Sequence, residues 1–143
     1  MAITQGMATS FKVQLLNGLQ NFSSNTFKIA LYTDVAQIGA TTSVYTATGE
    51  VSATNYTAGG QVLTGQSITL SQPQTGPQTY ITFDNAQWSS TNIAARGALI
   101  YNSSKSNKAV LVLNFGLDVS ATDDVFKVIM PVAAPNTALI CFS

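Results

Sequence analysis

The chain has 143 residues and no net charge, and only 8% of it is charged against about 25% in an average globular protein. That length is one domain's worth, able to bury roughly two thirds of its unfolded surface without a disulfide or metal. Six scattered cations (Lys12, Lys28, Arg96, Lys105, Lys108, Lys127) tell against nucleic acid, and the absence of histidine beside a single cysteine tells against triads, zinc chemistry and an intrachain disulfide.

The opening Met1-Ala2-Ile3-Thr4-Gln5-Gly6 has neither a basic start nor an apolar core, so no secretory signal is expected and synthesis is expected in a cytoplasm. No apolar run approaches the ~18 residues of a membrane helix, and the strands are too short and too few for an outer-membrane barrel, so no membrane partner is expected. One helix is predicted at about 9–20. Thr9 or Ser10 caps it, Phe11, Leu15 and Leu19 recur at spacing four with Leu16 beside them, and Asn17-Gly18 with Asn21 offers a stop.

From Phe27 the period becomes two. Phe27, Ile29 and Leu31 alternate with Lys28, Ala30 and Tyr32, which predicts a strand with one buried face. The polar stretch from about Asp34 to Gly60 is long for a structureless loop. It is expected to hold short strands at Val44-Tyr45-Thr46 and Val51-Ser52-Ala53, or to act as an interaction arm.

Strands are then predicted at Val62–Leu70, Thr79–Asp84, Ala98–Asn102, Ala109–Phe115, Val125–Met130 and Ala138–Phe142. Turns are predicted at 73–77, 103–107, 116–124 and 131–136, with Pro131 and Pro135 marking a strand end or an edge. The pattern is that of a single, mainly β domain over residues 1–143, an antiparallel β-sandwich or barrel-like fold with one short N-terminal helix. Trp88 is expected to cover one end of the core, and Cys141 to be a buried small hydrophobe.

Motifs that mimic chemistry fail on inspection. Residues 60–67 have the spacing of a phosphate-binding loop, but Gln66 stands where lysine must be and a strand pattern follows. Asp118, Asp123 and Asp124 lack the alternating ligands and glycine of a calcium loop. Ser120–Asp123 spells a capping box ahead of residues that alternate like a strand. The sequons at Asn21, Asn55 and Asn102 follow from abundant Asn, Ser and Thr. Tyr32, Tyr45, Tyr56, Tyr80, Trp88 and Tyr101 are too widely spread to favour base or sugar stacking over cores and interfaces. Paired carboxylates among Asp34, Glu50, Asp84, Asp118, Asp123 and Asp124 are the remaining enzymatic option, and they are few. No enzyme activity, cofactor or metal is expected.

A surface of Ser, Thr, Asn and Gln with little charge and positive mean hydropathy offers little repulsion between copies, which points to permanent assembly. The series Thr9-Ser10-Phe11-Lys12, residues 27–33, Tyr56-Thr57-Ala58-Gly59-Gly60, Trp88-Ser89-Ser90, residues 95–102 and residues 110–116 resembles a family of small virion structural proteins of tailed bacteriophages, met as head-decoration, head-fibre or tail-associated components. The resemblance runs from about Thr9 to the end and carries no catalytic residue. It implies a homo-oligomer in the virion, with the major capsid protein or another virion protein as partner, without fixing the place in the particle. The low charge, the compact β unit and a helix or 34–60 stretch able to reach neighbours fit a capsid decoration or cement role best. A tail or fibre adhesin contacting the host surface is the alternative. Partner contacts are expected at Phe11 and Leu15 on the helix and at Val44, Tyr45 and Tyr56 on the 34–60 stretch.

Overall fold

The computed structural model describes residues 3–71, 78–131 and 138–142. Among them the chain forms β1 (Gly6–Met7), α1 (Thr9–Leu16), β2 (Phe27–Tyr32), β3 (Gln61–Val62), β4 (Ser67–Ser71), β5 (Gln78–Thr82), β6 (Ala86–Thr91), β7 (Ala94–Asn102), β8 (Lys108–Ser120), β9 (Asp124–Val128) and β10 (Ile140–Phe142). The strands make three sheets, ordered β1-β8-β7-β2-β3, β10-β5-β4 and β6-β9. Every pairing is antiparallel. The expected fold class is the one observed, a mainly β, sandwich-like domain with one short helix.

The helix is shorter than expected and capped differently. Ala8, not Thr9 or Ser10, holds the N-cap position and makes no side-chain cap bond. The stop at Asn17-Gly18 is where it was expected. Gly18 takes φ +81°, its N–H bonds the Leu15 carbonyl, and the Leu19 N–H bonds that of Gln14. This paired closure satisfies carbonyls that the helix end would leave free, and a left-handed residue is needed to make it. Phe11 is buried and Leu15 half-buried, whereas Leu16 is 90% exposed, so Leu16 leaves the predicted face.

β2 departs from the one-faced pattern, because Ala30 and Tyr32 are as fully buried as Ile29 and Leu31. Two different layers account for this. Phe22 stacks on Phe27 at 4.4 Å, with Phe11 edge-on to Phe22 at 5.9 Å and Phe83 tilted 5.9 Å from Phe27. Ile81 and Ile140 of the three-stranded sheet join this same core. Against Tyr32 lies the 34–60 stretch, from which the Tyr32 hydroxyl finds the Thr46 carbonyl at 2.6 Å.

Several strand boundaries moved. The run 62–70 breaks into β3 and β4 around Gly65, which takes φ +65°. β8 continues through the predicted turn at 116–120, and β6 is a strand that the sequence reading missed. Trp88 sits in β6, buried between Tyr56 at 5.8 Å and Phe126 at 6.3 Å, and is a core residue rather than a lid at one end. Cys141 is half-buried. The predicted turn at 73–77 and most of that at 131–136, with Pro135, lie outside the described residues.

Candidate interaction surface

The residues singled out for partner contacts do not form one surface. Phe11 is 0% exposed and belongs to the phenylalanine core, so it is unavailable to any partner. An aromatic at that helix position does more by filling the gap between α1 and Phe22 than by meeting solvent. Leu15 is half-buried against the same core, and Val44, 47% exposed, makes an isolated bridge to Lys108.

Tyr45 and Tyr56 turn inward. Both hydroxyls donate to the Glu50 carboxylate, Tyr45 to Oε2 at 2.5 Å and Tyr56 to Oε1 at 2.7 Å. The Gly59 N–H donates to Oε1 as well, at 2.7 Å. Tyr101 from β7 packs 5.0 Å from Tyr45 and donates to the Gly59 carbonyl at 2.6 Å. Burial, reinforced by the Glu50 charge, raises Tyr101 to about 12 and pushes Tyr32, Tyr45 and Tyr56 up as well. The phenols therefore stay neutral donors, and the Glu50 carboxylate is committed to two of them and to the Gly59 backbone amide.

This knot explains why the 34–60 stretch is not a free arm and holds no regular strand. Its edge contacts are made residue by residue. The Val51 N–H bonds the Leu31 carbonyl and the Thr33 N–H bonds the Gly49 carbonyl, both covering the side of β2 beyond β3. Its own Ala36, Ile38 and Val51 are buried in the core. Side chains tie its far end to β6, with the Thr91 hydroxyl on the Thr54 carbonyl at 2.6 Å and Asn55 Nδ2 on the Ser90 carbonyl at 2.8 Å. A sheet edge that would otherwise be open to another chain is thereby closed.

One group of exposed apolar side chains lies elsewhere, toward the far end of the β7–β8 ribbon. Ala95 pairs with Val119 but Gly97 pairs with Asn114, so β8 carries a bulge of extra residues there. Gly116 takes φ +82° within it, and its N–H is held by Asn114 Oδ1 at 2.9 Å. Such a bulge re-aims the side chains that follow. Leu117 is left 62% exposed and Asp118 meets Arg96 at 3.0 Å. Val119, Val125 and Ile129 are exposed nearby. Phe115, Val119, Phe126 and Ile129 contribute to a groove of about 280 Å³. The alternation of Phe115, Leu117 and Val119 is the sequence signal for this segment, and it was overridden by Gly116 and the aspartates that suggested a turn.

Among the described residues no three His, Cys, Asp or Glu side chains gather to hold a metal ion, and no helix is long and apolar enough to cross a membrane. Comparison with known protein families, with curated proteins and with solved structures finds no match for this chain.

Proposed function

We propose that this chain is a virion structural protein of a tailed bacteriophage, a capsid decoration or cement protein that binds the major capsid protein lattice and acts by surface contact, without catalysis. The observation that carries the reading is the group of exposed apolar side chains Leu117 and Val119 of β8, Val125 of β9 and Ile129 just after it, in a nearly uncharged protein. Such a group suits lasting burial against another protein, where apolar area and sheet geometry supply contact and few charges must be desolvated. The Glu50 knot supports the same reading by making the 34–60 stretch a rigid part of the body, so docking orders little additional chain.

The test is mass spectrometry of separated phage heads and tails from a phage that encodes this chain, with a binding assay of the purified chain on heads stripped of it. Stoichiometric abundance in heads and saturable rebinding are expected. A copy number fitting only a tail ring or fibre would replace the cement role with the tail-associated one, and absence from both fractions would overturn the proposal.

A further inference from the structure

The ten-residue-scale ribbon β7–β8 gives the molecule a long axis, and its charges sort along that axis. At one end Asn102 pairs with Lys108, and Lys105 lies in the connecting 3₁₀ turn. Lys28 sits opposite Tyr101 at the same end. Lys12 belongs there too, because α1 starts where the Ala8 N–H bonds the Val110 carbonyl and its trailing loop reaches Asn102 through Gln20. Asp84 is the acid of this end, bonded through its N–H to the Thr64 carbonyl next to the Leu63–Phe27 bond.

At the opposite end Ala94 pairs with Ser120. Asp118 lies on that part of β8, Asp123 and Asp124 lead into β9, and Asp34 follows the end of β2 and shares a cleft with Arg96. Four lysines with one aspartate at one end face four aspartates with one arginine at the other. Between them lie Glu50, which bridges to Tyr32 and holds Gly59 beside Lys28, and Lys127, which sits opposite Gln87. All twelve charged side chains fall within the described residues, so the zero net charge conceals two poles of opposite sign.

β7 is nine residues long, and at about 3.3 Å per step its ends stand roughly 26 Å apart. That exceeds the screening length of about 8 Å in physiological salt, so the poles do not neutralise one another across solvent. A second copy can do what the distance forbids. We infer that the lysine end of one molecule binds the aspartate end of another, giving a head-to-tail contact between copies. Such a contact leaves the joined pair one free end of each sign, and so builds rings or rows rather than closed pairs. Charge complementarity sets the polarity of the contact. The inference deepens the reading of the chain as an assembly subunit but concerns contact between copies, not contact with a capsid.

Sedimentation velocity of the purified chain tests it. Self-association is expected in dilute buffer and should weaken at least about tenfold on going from about 20 mM to about 500 mM salt, as contact between screened charges requires. Two variants then isolate the poles: Asp34→Lys with Asp124→Lys, and Lys105→Glu with Lys108→Glu, each checked for native melting. Each alone should be monomeric, and an equimolar mixture should associate. A wild-type chain monomeric in dilute buffer, a single variant that associates as the wild type does, or a silent mixture of folded variants overturns the inference. A monomer that still binds phage heads sinks this contact and leaves the proposed function standing. A chain that associates by these rules but ignores heads does the reverse.

Discussion

The Leu31 backbone N–H donates to the Tyr56 hydroxyl at 2.8 Å, across twenty-five residues of chain. That hydroxyl in turn donates to Glu50, so a side chain from the 34–60 stretch completes the edge of β2 while its own proton is held by a carboxylate acceptor. Edge closure and loop order are one structure here, since removing Glu50 would loosen both.

Glu50→Ala is therefore expected to destabilise the fold by about 2 kcal/mol, because two phenol donors and the Gly59 amide lose their acceptor. Glu50→Gln keeps one acceptor oxygen and should cost less. Urea unfolding of both variants checks the order.

Gly60 and Gly18 both take positive φ, at +76° and +81°. A Cβ at Gly60 would collide with the Ile29 carbonyl, whereas one at Gly18 meets nothing. Gly18→Ala should cost about 1 kcal/mol, the left-handed penalty alone, and Gly60→Ala more than about 2 kcal/mol, with β3 displaced from β2. Thermal melts of the pair separate conformational cost from collision.

Phe22→Ala removes the ring that contacts Phe11, Phe27 and Phe83 and should cost about 3–5 kcal/mol through the cavity left behind. Leu16→Ser, on the same stretch of chain but exposed, should change stability by less than about 0.5 kcal/mol. Equal effects in denaturant titration would mean that the helix faces the other way.

Alkaline titration should expose the tyrosine knot. Burial and then the Glu50 charge raise the phenols above their ordinary value of 10.0, with Tyr101 at about 12. Above pH 10 the unfolded chain gives up phenol protons that the folded chain retains, so stability falls with rising pH. The contribution is complete below pH 10 and is lost as pH climbs through about 12. Circular dichroism and phenolate absorbance followed together should show ionisation of these tyrosines coinciding with unfolding. Ionisation well before unfolding would contradict the burial assigned to them.

Much of the architecture was legible locally. Alternation marked β2 and β9, apolar runs between turn residues marked β5 and most of β7, and Asn17-Gly18 marked the end of α1, because these signals are properties of neighbouring residues. The segment with Leu117 and Val119 was lost to a turn reading, since Gly116 serves a bulge as readily as a turn. Phe11, Tyr45 and Tyr56 were read as outward-facing although they point inward, and no local pattern distinguishes an aromatic in a core from one at an interface.

The amino-acid order by itself determined a mainly β chain with one short helix, sparse charge and no histidine, because composition and short-range periodicity are written residue by residue. Which face of β2 meets which layer, that Glu50 gathers Tyr45, Tyr56 and Gly59, and that lysines and aspartates part to opposite ends were decided only in three dimensions. The physical reason is that burial and charge separation belong to pairs of residues far apart in the chain, and only packing brings such pairs together or holds them apart.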